Sequence, residues 1–221
     1  MADQRTLVLL GGAQDGPESW DPIRGELAEA FSVLTPGLAA QASESSTGSS
    51  SVSAFGLDQA AADIAASLAD LDAASVVVCG VGLGAMVGLE LAAEHPERVG
   101  ELVLVTRRLA LSPLLMSLPA VVVRLLPAAR VQRLGAPQAQ VLALLDQVRP
   151  VDFRPLAARV AAPATVLCGA RDQNNRHPSQ TLARALPQGR LQLIGRAGPA
   201  WLRDSPHLLA EQLLTHAAPP G

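Results

Sequence analysis

The sequence predicts an α/β fold: a mostly parallel six-stranded sheet, doubly wound, with helices on both faces. Three observations lead there. Short β-branched runs alternate with longer Ala/Leu-rich segments of helical period. Two of the runs, SVVVC at 75–79 and ATVLC at 164–168, are almost continuously apolar, as strands covered on both faces must be. The chain of 221 residues, 49% hydrophobic and 17% charged, is long and apolar enough for one sizeable core.

The strands are expected at Thr6 to Leu10, Phe31 to Thr35, Ser75 to Cys79, Glu101 to Thr106, Ala164 to Gly169 and Arg190 to Ile194. The helices between and after them are expected at Pro22 to Glu29, Leu57 to Leu71, Ala85 to His95, Ser179 to Leu186 and Pro206 to His216. Asp58 is a candidate N-cap for the second helix, and Ser205 with Pro206 opens the last. Two stretches fall outside the alternation. Residues Gln41 to Ser53 are serine-rich and aperiodic, which reads as a surface connector. Residues 107–160 carry apolar helix-like pieces such as SPLLMSLPAVVVRLL and form an expected helical lid, inserted into a core of residues 1–106 and 161–221.

Composition excludes several functions. A net charge of −3 with no basic cluster gives no footprint for nucleic acid. All 17 basic residues are arginine, so neither a P-loop lysine nor a Schiff-base lysine exists. Cys79 and Cys168 are too few for a zinc or disulfide framework and read as buried thiols; no metal or cofactor is expected. The run TLVLL near the start is interrupted by Gly11-Gly12 and preceded by Asp3, so it reads as a strand in a cytoplasmic protein. The segment Leu109 to Pro127 contains Arg124 and three prolines, which fits a lid better than a membrane span.

Residues 75–105, SVVVCGVGLGAMVGLELAAEHPERVGELVLV, hold a strand, a glycine-dense sharp turn, a helix, an HPERV step and another strand. This resembles the nucleophile elbow of the α/β-hydrolase family, where GxSxG presents a serine on a tight strand-to-helix turn. The likeness covers almost the whole chain: LVLLGGAQDGPESWDPI resembles the family's oxyanion loop and tryptophan-proline step. PATVLCGARDQNNRHP is similar to the strand bearing the triad acid, and IGRAGPAWLRDSP to the step bearing the triad histidine. The hydrolase fold is implied, here without room for a leading hairpin before Thr6.

The chemistry departs from the pattern. Gly82 occupies the serine position and Pro199 the histidine position, so neither a nucleophile nor a proton acceptor is present there. Gly11 replaces the oxyanion-loop histidine, and Gly37 the aspartate usual after the second strand. Of the triad only the acid is matched, by Asp172. The resemblance also implies that the backbone N–H groups of Leu83 and of Ala13, just after Gly12, remain as oxyanion-hole donors. Gly12, Ala13, Gly82, Leu83 and Pro199 are therefore the expected binding residues.

Asp172 and His177 lie in one loop at the sheet edge where ligands bind in such folds, and as a pair they could move a proton without a nucleophile. The alternative, which the residues favour, is that Asp172 caps the local backbone and His177 is solvated. His95 reads as a helix C-terminal residue; His207 and His216 are expected at the surface.

Three functions follow. The first is a pocket for a small, mostly apolar carbonyl metabolite, working by non-hydrolytic acid/base chemistry of the cyclase, isomerase or lyase type. The second is an inert ligand receptor or scaffold, with a homodimer conceivable. The third is an NADP-binding Rossmann protein, since Gly80, Gly82 and Ala85 also fit GxGxxG/A and Arg107 and Arg108 follow at the next strand's end.

Overall fold

The computed structural model describes residues 4–12, 16–38, 57–106 and 153–218. Six strands form one all-parallel sheet: β1 (Thr6–Leu10), β2 (Ser32–Leu34), β3 (Val76–Val81), β4 (Glu101–Val105), β5 (Ala164–Gly169) and β6 (Gly189–Ile194), in the order β2-β1-β3-β4-β5-β6. Parallel neighbours need crossovers. The described helical connections and C-terminal elements are α1 (Asp21–Ala28), α2 (Leu57–Ser67), α3 (Leu83–Glu94), α4 (Arg154–Ala157), α5 (Gln173–Ala185), α6 (Trp201–Asp204) and α7 (His207–Leu214).

Side chains alternate across the sheet and divide the core in two. Val8 and Leu10 of β1, Val78 of β3 and Leu104 of β4 pack with α2, α3 and the inner face of α5. Leu7 and Leu9, Cys79 and Val81, and Val103 and Val105 face the other way, onto α1, Trp201 and α7. Strands β1, β3 and β5 are buried along their whole length, which is why their sequences show no polar alternation.

The boundaries differ from expectation in instructive places. Leu57 already begins α2, so Asp58 lies in its first turn and is not its cap. The last helix starts at His207 after Pro206, and Ser205 contributes its carbonyl to the N–H of Leu208 instead of capping with its hydroxyl. Helix α5 begins six residues earlier than Ser179 and runs through Pro178, because Asp172 caps it. Of the expected lid only 153–160 is described. There Ala157 and Val160 are buried in the sheet's core, so the helical cover of the sheet begins before residue 161. The serine-rich stretch, Arg107, Arg108 and the apolar segment Leu109 to Pro127 lie outside the described residues. Among the described residues no helix is long and apolar enough to cross a membrane.

Candidate active site

The chain leaves β1 to form β2 on one side, then returns to form β3 on the other. The carboxyl ends of β1 and β3 thus flank a crevice at the point where strand order reverses, the ligand-binding place of open α/β sheets. Gly12 follows β1 there and Gly82 follows β3. A Cβ built on Gly82 would find its nearest neighbour, the Gly12 Cα, at 3.9 Å, so the two loops face each other across a space.

The turn at Gly82 is sharp, with φ 59° and ψ −114°, a conformation an L-residue adopts only under strain. Two neighbouring glycines make it possible. A Cβ on Gly80 would lie 2.6 Å from the Ala85 Cα, and one on Gly84 would lie 2.6 Å from the Gly11 carbonyl oxygen and closer still to that of Leu10. These two positions are closed to any side chain by backbone, whereas position 82 has room for one and lacks it. The Gly82 N–H donates to the Val105 carbonyl at 3.2 Å, which ties the turn to β4. Leu83 is the first residue of α3; its N–H has no acceptor within the helix, and Gly82 at the N-cap has no side chain to cap it. The twelve-residue helix adds partial positive charge at the same point. Ala13, the other expected donor, lies outside the described residues.

Neither cysteine offers a nucleophile at the elbow. Cys79 is fully buried beneath the sheet, and burial pushes its thiol up to about 12, far from the reactive thiolate. Cys168 is buried at the end of β5, and its thiol is also raised by burial.

Asp172 ends the turn after β5 and is 3% exposed. Its Oδ1 accepts the Asn175 backbone N–H at 3.2 Å, and its Oδ2 accepts the Asn175 side-chain amide at 2.6 Å. The carboxylate is thus folded back onto its own helix. His177 sits two residues beyond Asn175, about 200° further round α5, and is exposed. The structure does not bring Asp172 and His177 together. Pro199 is exposed in the loop after β6; that loop docks on the Asp172 turn through the Arg171 N–H to Ala197 carbonyl bond at 2.9 Å.

Sequence reasoning missed the polar chain that extends from Asp172. Ser179, fully buried on α5, donates to the Asn175 carbonyl at 2.7 Å and also bonds the Thr106 hydroxyl at the end of β4. Since the Ser179 proton goes to Asn175, Thr106 is the donor to Ser179. The signal lay in the i, i+4 spacing of Asn175 and Ser179, legible only once α5 is known to start at Gln173.

His95 ends α3 as expected, and its Nδ1 lies 3.8 Å from the Glu97 carboxylate. His216 does not lie on the surface. It is buried at the opposite end of the sheet, with its Nδ1 2.6 Å from Glu101 Oε1.

A six-stranded parallel sheet with a glycine-flanked elbow at its switch point defines a class, and comparison with known proteins agrees with it. The family model of the alpha/beta hydrolase fold matches residues 5–148, more than half of the chain, and this protein belongs to that family. Among solved structures it is similar to an enol-lactonase from Burkholderia xenovorans LB400, with 19% identity, TM-score 0.68, and coverage of 97% of this chain and 91% of that one. It is also similar to MenH from S. aureus, at 17% identity, TM-score 0.66, and 96% and 92% coverage. A third is Est816, described as an N-acyl homoserine lactone degrading enzyme, at 17% identity, TM-score 0.64, and 97% and 93% coverage. No curated protein matches the sequence significantly. The glycine turn that also fits a dinucleotide fingerprint lies inside the matched segment.

Proposed function

We propose that this protein binds a small, mostly apolar ester or lactone carbonyl compound at the elbow and does not hydrolyse it through a serine nucleophile. The carrying observation is Gly82: the strained elbow geometry is kept, both flanking glycines are packed against backbone, and the position that would present a nucleophile holds none. A carbonyl oxygen seated over the α3 N-terminus accepts from the Leu83 N–H, and the space above Gly82 holds the atoms a serine would have attacked. Two of the similar structures are described as a lactonase and as a lactone-degrading enzyme, which supports the choice of a lactone carbonyl as ligand class. The occupied carboxylate of Asp172 and the exposed His177 favour binding without turnover, as a receptor or carrier, over proton transfer by that pair.

The test is a thermal-shift titration with small lactones and esters, coupled to mass spectrometry after exposure to a fluorophosphonate. A bound ligand raises stability by about 2.7 kcal/mol at a hundredfold excess over its Kd, and no covalent adduct forms. Saturable ester cleavage proportional to protein, or a stoichiometric adduct, would overturn the proposal.

A further inference from the structure

The charges of this chain are unevenly divided. Residues 1–106 hold 3 arginines and 15 acidic residues, whereas residues 107–221 hold 14 arginines and 5 acidic residues. From Gln173 to Arg203, through α5, β6 and the loop after it, there is no aspartate or glutamate, while Arg176, Arg184, Arg190, Arg196 and Arg203 are all exposed. They stand six to eight residues apart, so no basic cluster shows in the sequence; the fold gathers them on adjoining elements. Of the five, only Arg203 forms an ion pair among the described residues, with Asp204 at 2.9 Å.

The same stretch ends the sheet. Strand β6 is outermost, pairs only with β5, and has six residues where β2, at the other edge, has three. The Ala164 N–H donates to the Gln188 carbonyl at 3.0 Å and the Ala170 N–H to the Ile194 carbonyl at 2.9 Å, which turns the backbone of the even-numbered residues towards β5. Gly189, Leu191 and Leu193 therefore point their backbone outward. The Gly189 N–H is taken by the Leu186 carbonyl at 3.1 Å, but the N–H groups of Leu191 and Leu193 and the carbonyls of all three have no partner among the described residues. The edge carries neither a proline nor a bulge to blunt it, since the register with β5 is unbroken.

The side chains along this edge are of two kinds. On the α5 face Leu191 is half-buried and Leu193 is 38% exposed, one of two large apolar side chains so exposed among the described residues. A groove of about 410 Å3 between α5 and β6, with Leu191 and Arg184 in its lining, continues that surface. On the α7 face stands Arg190, whose Nε donates to Thr165 Oγ1 at 2.7 Å; its remaining N–H groups have no partner among the described residues.

We infer that the outer edge of β6 is a docking site for an acidic partner protein, which adds an extended segment as a further strand, apolar side chains against Leu191 and Leu193 and carboxylates against Arg190. The row of free donors and acceptors calls for a strand. The run of arginines without a carboxylate calls for an acidic one. A second copy paired edge to edge fits less well, because its arginines and those of the first line one seam and repel. This surface is independent of the carbonyl site at the elbow.

The probe is a labelled peptide of about ten residues, alternating glutamate and valine, titrated into the full chain by fluorescence anisotropy. Amide hydrogen exchange of the protein is followed alongside. Saturable binding is expected, with slowed exchange at the Leu191 and Leu193 amides. Affinity should fall about tenfold in Leu193→Pro, whose ring removes an outward donor and spares the ladder to β5, and about fivefold in Arg190→Glu. The exchange measurement uses the unaltered chain, so the test stands if Leu193→Pro does not fold. Equal binding of a lysine–valine peptide overturns the acidic partner. Binding that leaves both amides unprotected, or that is as strong for a peptide with the same residues in two blocks, overturns the added strand, and no binding overturns the docking site outright. A sedimentation result showing a dimer of the free chain, with the same amides already protected, gives the edge to a second copy and defeats the inference.

Discussion

The two ends of the sheet treat polar groups in opposite ways. At the carboxyl end the elbow carries a glycine, and Asp172, the one buried carboxylate among the described residues, accepts two bonds from its own helix. At the amino end a charged cluster is sealed in. Arg5 is 4% exposed, and its Nη1 donates to Glu101 Oε2 at 3.1 Å and to the His216 carbonyl at 2.6 Å, while its Nη2 donates to the Ala74 carbonyl at 3.2 Å. The other Glu101 oxygen takes His216 Nδ1. This cluster joins β1, the central strand β4 and the turn after α7, so its role is to hold the fold. Buried ionisable groups are thus no guide to function here: the richest set lies at the end of the sheet remote from the elbow.

Arg5→Met is the change that breaks this comparison most severely. Removing one partner of a buried ion pair leaves the other charge poorly compensated, and the expected loss is about 3–5 kcal/mol, read from urea unfolding at neutral pH. The pH dependence gives a second reading of the same cluster. Burial pushes the Glu101 carboxyl up, but the bonds and charges of His216 and Arg5 outweigh it and hold the group below its ordinary value. A depressed carboxylate adds stability that is present above its unfolded value of about 4.3 and lost as pH falls through the lower folded value. Acid destabilisation below pH ~4 should therefore be shallower in Arg5→Met than in the unaltered protein. An equal slope would remove Arg5 from the account.

At the other end the glycines separate structure from site. Gly84→Ala forces a Cβ into the backbone of β1 and the loop after it, an overpacking worth about 3 kcal/mol. Gly82→Ala meets nothing nearer than an ordinary contact at 3.9 Å and bears only the strain of a positive φ, about 1–3 kcal/mol. Thermal unfolding of the two variants should rank them in that order, and lactone binding should weaken in Gly82→Ala, where the new methyl group enters the proposed site. The reverse ranking would mean that the elbow is not held by its neighbours.

Much of this architecture could be read in the sequence, and the exceptions share one cause. Strands β1 and β5 begin and end at the expected residues, because runs such as TLVLL and ATVLC carry their burial in their composition. The elbow was legible because a turn this tight demands glycine at fixed offsets. What escaped depended on partners distant in sequence or on a break in periodicity. His216 looked like a surface residue until Glu101, 115 positions earlier, closed over it. The first six residues of α5, QNNRHP, have no apolar period and include Pro178, so only the Asp172 cap marks the start of that helix.

The smallest effect expected concerns that cap, and it decides what Asp172 is for. Asp172→Asn keeps an acceptor oxygen for the Asn175 backbone N–H but loses the charge favoured at a helix N-terminus and the second acceptor for the Asn175 amide. Stability should fall by about 1 kcal/mol, in the range of lost helix caps, with lactone affinity unchanged. His177→Ala, on the exposed side of α5, should change neither. A carboxylate acting as a proton carrier would give the opposite signature, with little change in stability and a loss of any turnover shared by both variants. Measuring unfolding and product formation on the same two proteins therefore separates a residue that fastens a helix from one that works on a substrate, although both would lie in the same turn.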